Sequence, residues 1–81
     1  MNDVFRQRLQ KLREKKRISR RVLSELCGLS SDAIRRYERG EAEPRIESLI
    51  LIADFFEVTT DYLLGKTDEE KDKRTEHPAR S

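Results

Sequence analysis

RRVLSELCGLSSDAIRRYER, residues 20–39, reads as two short helices joined by a tight turn. The first is expected over residues 20–27 with Ser19 as its N-cap, because a serine hydroxyl can accept from a first-turn amide. Gly28 follows and supplies the left-handed backbone that a sharp helix end needs. Ser30 is expected to cap a second helix over residues 31–39, which Gly40 closes. Leu23, Cys27, Leu29, Ile34 and Tyr37 give each helix an apolar side, and Ser24 is small where two steeply crossing helices come closest.

The outer face of the second helix carries the functional signal. Counted from Ser31, Arg35, Arg39, Asp32 and Arg36 fall between about 40° and 140°, and Ile34 and Tyr37 at about 300° and 240°. One arc is therefore inward and apolar, and the other offers three arginines, a serine and an aspartate. Arginine forks match guanine O6 and N7, a carboxylate accepts from cytosine N4, and a serine serves several bases. Such a face suits the major groove of double-stranded DNA.

From about Phe5 to Gly65 the chain resembles the lambda-repressor-like helix-turn-helix domains of phage repressors, Cro and Xre-type regulators. The residues that carry the resemblance are Ile18-Ser19, Leu23, Gly28, Leu29-Ser30, Ile34, Tyr37-Glu38-Arg39-Gly40, Pro44, Leu49, Ala53 and Asp61-Tyr62-Leu63-Leu64-Gly65. Each piece is weak alone, and the ordered set is specific. The resemblance implies an all-α domain of five helices over residues 1–65, with the helix-turn-helix formed by the second and third. It also implies a sequence-specific DNA-binding transcriptional regulator, read as a repressor. Ser31, Asp32 and Arg36 match base-contacting positions, and Ala33 is placed to meet a thymine methyl. Asp32 has a second reading, as a helix-surface partner that orients Arg35 or Arg36. Arg20, Arg21, Ser30, Arg35, Arg39 and Arg45 are the expected phosphate contacts. The matching arginine and glutamate of relatives pair, which predicts an Arg13–Glu38 ion pair between the first and third helices.

Eighty-one residues make one small domain, with 35 % hydrophobic and 42 % charged residues. A lone cysteine makes neither an internal disulfide nor a cysteine zinc site. No apolar run approaches the ~20 residues of a membrane span, and no leader-like apolar segment follows the charged N-terminus. A cytoplasmic protein is expected, without cofactor or metal. The net charge of +2 conceals an uneven distribution. Residues 1–40 hold twelve Lys/Arg and five Asp/Glu, a surplus of +7; residues 41–65 hold one and six, −5; residues 66–81 hold five of each. A domain polarised in this way presents one end to a polyanion.

Phe5, Leu9 and Leu12 recur at helical spacing and predict a first helix from Asp3 to about Lys16, capped by Asn2 or Asp3. Most of its basic residues serve solubility. A fourth helix is expected over residues 46–56, with Ile46, Leu49, Ile50, Ala53 and Phe56 inward. Leu51, Ile52 and Phe55 widen its apolar surface, so Leu51, Phe55, Tyr62 and Leu63 are candidates for a homodimer surface. Glu57 stands where many relatives end the helix with glycine, so it is either strained or the helix ends differently. Thr59 caps a fifth helix over residues 60–64 that Gly65 ends. Residues 66–81 have no large apolar side chain and read as a charged, flexible tail, with no small-molecule effector site evident.

Catalysis finds little support. His77 lies in the tail without a fixed partner, and Cys27 sits at an inward helical position, where a buried structural thiol is expected. The alternative to gene regulation is a protein-interaction module or antitoxin on the same fold, favoured by the wide apolar fourth helix. The arginine-rich arc argues against it.

Overall fold

Residues 3–70 are described by the computed structural model. They form α1 (Asp3–Lys15), α2 (Arg20–Leu26), α3 (Ala33–Glu38), α4 (Ile46–Phe56) and α5 (Thr60–Leu64). The expected Asn2 cap and the expectations for residues 71–81, His77 included, lie outside the described residues. Phe5 and Leu9 of α1 are fully buried, and Leu12 packs against the core from its edge. Two of the predicted local caps form: the Val22 N–H donates to Ser19 Oγ at 3.0 Å, and the Tyr62 N–H to Thr59 Oγ1 at 3.0 Å. Each satisfies one of the orphan amides of a helix start.

The five helices end alike, in a residue with positive φ: Arg17, Gly28, Gly40, Glu57 and Gly65. After α2 the Leu29 N–H bonds to the Ser24 carbonyl at 2.8 Å and the Gly28 N–H to that of Glu25 at 3.0 Å. This paired closure satisfies carbonyls that the last turn would otherwise leave open. A Cβ on Gly28 would meet nothing within 4 Å, so glycine is needed there for its backbone alone. At the end of α4, Glu57 takes the left-handed conformation, with φ 58° and ψ 40°. Of the two outcomes left open by the sequence, the strained one is realised.

Phe5, Leu9, Leu23, Ile34, Ile52 and Leu63 form the fully buried centre of the core. Helix α4 has the expected ends but a different rotation. Leu49, Ile52, Ala53 and Phe56 face inward, whereas Ile46 is 73 % exposed and Ile50 is exposed beside it. The inward arc can hold only one side of a helix that is apolar on several. Ile52 supplies the volume that had been assigned to Ile46 and Ile50.

The largest departure is at the start of α3. It begins at Ala33, two residues later than expected, and neither Ser30 nor Asp32 caps it through its side chain. The capping acceptor comes from α2. Ser24, fully buried, accepts from the Ile34 N–H at 3.0 Å and donates to the Arg20 carbonyl at 2.9 Å. One hydroxyl therefore closes the corner between the two helices. Ser24→Ala should destabilise the fold by about 1–3 kcal/mol, the cost of an unsatisfied buried donor. The check is chemical denaturation. A loss below about 0.5 kcal/mol, the low end for a single hydrogen bond, would show that the hydroxyl is dispensable.

Residues 66–70 do not extend freely from α5. Arg8 lies over the Tyr62 ring at 4.1 Å and donates to the Tyr62 and Thr67 carbonyls, each at 2.6 Å. It also pairs with Asp68 at 2.7 Å, and the Thr59 N–H bonds to the Glu70 carbonyl at 2.8 Å. Residues 66–70 are thus tied to α1 and to the start of α5 by hydrogen bonds and an ion pair. The anchoring uses backbone carbonyls, which a composition-based reading of a tail cannot weigh.

Candidate nucleic-acid interface

Helix α3 has six residues, too few to hold an orientation by itself. Its outer arc is aimed by contacts on its inner side. Ile34 is buried against the core, and Tyr37 packs at the core's edge. Glu38 receives Arg13 in a forked pair, Nε to Oε2 at 2.7 Å and Nη2 to Oε1 at 3.2 Å. The Arg13 side chain is 14 % exposed and that of Glu38 5 %. Arg13 also donates to the Ile18 carbonyl at 2.9 Å, and Arg6 to the Glu38 carbonyl at 3.2 Å. The expected ion pair is therefore present, and it fixes α3 to both ends of α1.

The start of α2 and the start of α3 face each other across a cleft of about 440 Å³, lined by Ser19, Arg20, Arg21, Ser31, Asp32 and Arg35. Arg20, Arg21 and Ser31 are exposed here. Arg21 leans on Glu25 at 3.3 Å, a solvated pair. Asp32 accepts from Arg35 through both oxygens, at 2.5 and 2.7 Å. That hydrogen bonding, helped by the charges of Arg35 and Arg36 and opposed by slight desolvation, holds the Asp32 carboxyl below its ordinary value. Of the two readings of Asp32, it is the orienting one that has a partner here. Arg36 projects outward and makes no side-chain hydrogen bond or ion pair among the described residues. Arg39 is exposed and pairs with Glu41 at 2.8 Å.

The structure places the other expected site residues unevenly. Ala33 is 8 % exposed and offers little surface to a thymine methyl. Ser30 is exposed but sits in the turn, where its carbonyl accepts from the Ala33 N–H at 3.0 Å. Arg45 is exposed at the start of α4, separated in sequence from the cleft by the loop after α3. Of the candidate dimer residues, Leu63 is fully buried in the core and Tyr62 is half-covered by Arg8. Phe55 packs edge-on against Phe56 at 5.1 Å, with Lys16 5.7 Å above its ring. Leu51 remains exposed, now in the company of Ile46 and Ile50. Cys27 is buried, and burial pushes its thiol up, as suits an inert core residue.

Sequence reasoning missed Ser24 as a cap and Glu41 as a partner of two arginines. A serine ten residues upstream of the amide it caps leaves no local signal. Glu41 did leave one: it follows Gly40, and the turn after a glycine-closed helix returns the chain along the last turn.

Comparison with known proteins agrees with this geometry. A family model described as helix-turn-helix matches residues 9–63. The transcriptional regulator AnsR of Bacillus subtilis is 40 % identical over 68 residues, covering 84 % of this chain and 56 % of that protein. The transcriptional activator BcrR of Enterococcus faecalis is 42 % identical over 61 residues, covering 75 % and 30 %. The chain thus spans little more than half the length of the first of these relatives, and less of the second. Among solved structures, the P22 c2 repressor in complex with a synthetic operator superposes with a TM-score of 0.68 at 32 % identity, covering 73 % of this chain and 89 % of that one. The five-helix order, the α2–α3 corner and these matches have one explanation: the chain belongs to the helix-turn-helix family of Cro/C1-type, phage-repressor-like domains.

Proposed function

We propose that this protein is a transcriptional regulator that binds double-stranded operator DNA, with α3 in the major groove, and that it acts as a repressor in the cytoplasm. The observation that carries the reading is the outward Arg36, without a hydrogen-bond or ion-pair partner among the described residues, beside the arginine-lined cleft between α2 and α3. Support comes from the likeness to a repressor solved with operator DNA. Arg36 is the base reader, most simply of guanine, and Ser31 is the second exposed candidate for a base edge. Arg20 and Arg21 take phosphates, with Arg35 and Arg39 beside them and Arg45 at the margin.

One domain of this size reads too few base pairs for useful selectivity, so a homodimer on an approximate palindrome is part of the proposal. Two-fold symmetry would place half-sites about one helical turn, ~34 Å, apart. Its surface is the exposed apolar side of α4, where Ile46, Ile50 and Leu51 stand clear of the core. Sedimentation with and without DNA tests the dimer separately.

Selection of fragments from a random duplex pool would supply the operator. With it in hand, Arg36→Ala should lose about 1–3 kcal/mol of discrimination at one base pair. Arg20→Ala should weaken operator and scrambled duplex alike. Equal losses on both duplexes for Arg36→Ala would contradict direct reading by that residue.

A further inference from the structure

We infer that Glu41 is an affinity-limiting residue, an internal competitor for DNA phosphate that holds Arg39 and, together with Asp32, brackets Arg35. The inference rests on the DNA-binding reading above and assigns a role to a residue that lies outside the helix itself.

The turn that closes α3 puts Glu41 in place. Gly40 has φ +75°, and the Glu41 N–H bonds back to the Arg36 carbonyl at 2.8 Å. The chain is thereby folded along the last turn of the helix, and the carboxylate meets the arginines of the outer arc. One oxygen lies 2.8 Å from Arg39 Nε and the other 3.9 Å from Arg35 Nη1. From the opposite end, Asp32 grips Arg35 with both of its oxygens. Two of the three arginines on this arc are therefore matched with acids, and Arg36 alone is not.

That division has a consequence for binding. A phosphate that takes Arg39 must displace a carboxylate already at hydrogen-bond distance, and the released carboxylate then faces the phosphates. Exposed pairs are individually weak, so the effect trims affinity without abolishing it. What it trims is the phosphate part, which carries no sequence information. Reading by Arg36 has no such competitor. The acid thus acts against wrong placements, where phosphate attraction is all there is.

The test uses the full 81-residue chain and a scrambled duplex, titrated by fluorescence anisotropy between about 50 and 200 mM salt. Glu41→Gln should bind about two- to five-fold more tightly than the unaltered chain, and its slope of log affinity against log salt should steepen by about 0.9, one additional phosphate. Glu47→Gln removes the same charge from the exposed first turn of α4, where no arginine pair is lost, and serves as the reference. In an Arg39→Ala background the gain from Glu41→Gln should fall to the Glu47→Gln level, with the thermal midpoint unchanged throughout. If Glu41→Gln behaves as Glu47→Gln does, or its gain survives without Arg39, the inference is overturned while the DNA reading stands. If the unaltered chain binds no duplex at any salt, the DNA reading falls and takes the inference with it.

Discussion

Glu38→Ala is expected to cost about 3 kcal/mol of folding stability or somewhat more, read as a lowered midpoint in urea at unchanged m-value. Both members of the Arg13–Glu38 pair are largely removed from water, and the fork uses both carboxylate oxygens. Removing the acid leaves a guanidinium with only the Ile18 carbonyl as acceptor. A buried charge stripped of its partner is penalised far more than the intact pair was worth. At the usual 0.05–0.15 kcal/mol per residue, a chain of this length has roughly 4–12 kcal/mol in total, so the loss is a large share. Arg13→Met with Glu38→Leu should recover most of the stability, because the polar desolvation disappears with the pair. The double variant should still lose operator selectivity, since α3 then keeps its packing, the Ser24 cap and the Arg6 bond to the residue-38 carbonyl but no side-chain fork to α1. A single variant within about 0.5 kcal/mol of the parent would mean the pair behaves as a solvated one, contrary to its burial.

Gly65→Ala should be nearly as damaging, about 2–4 kcal/mol by the same measurement, for two separable reasons. The residue has φ +83°, which costs an L-residue about 1–2 kcal/mol. Its Cβ would also lie 2.8 Å from Val4 Cγ1, closer than real carbon atoms approach, and such overpacking costs about 1–3 kcal/mol. Val4→Ala removes the colliding methyl and is itself mild, because Val4 is partly exposed. In the double variant most of the packing share should return, a 3.1 Å contact with the Cβ of residue 4 remaining, and the backbone share should stay. Full recovery would show that the left-handed turn is not strained; no recovery would place the whole cost in the backbone. The site matters because it joins α5 to α1, directly before the segment that Arg8 holds.

The helices that were legible are those whose signals are local. Helix α4 has the expected ends because the apolar-rich stretch between Pro44 and Val58, unbroken from Leu49 to Ala53, leaves few alternatives. Ser19 and Thr59 cap as expected because an N-cap acts on amides two or three residues away. The Arg13–Glu38 pair was expected only through the resemblance, since nothing in spacing alone brings together residues 25 positions apart. Two of the failures are of one kind. Ala33 was expected to face DNA and Ile46 the core, and each is reversed by the way an element is rotated against its neighbours.

By itself, the sequence determined the number and order of the helices, the sharp corner after Cys27, and the arginine-rich arc of the third helix. Glycines, apolar spacing and the Ser19 and Thr59 caps act within a few residues and need no tertiary context. Only the folded chain decided where α3 begins, which side of α4 is buried, and which arginines of the arc are already matched with an acid. Those outcomes depend on contacts that only folding makes: Ser24 with Ile34, Glu41, turned back at Gly40, with Arg35 and Arg39, and Arg8 with the backbone beyond α5. A hydrogen bond or ion pair of that kind exists only once packing has brought its two ends within reach.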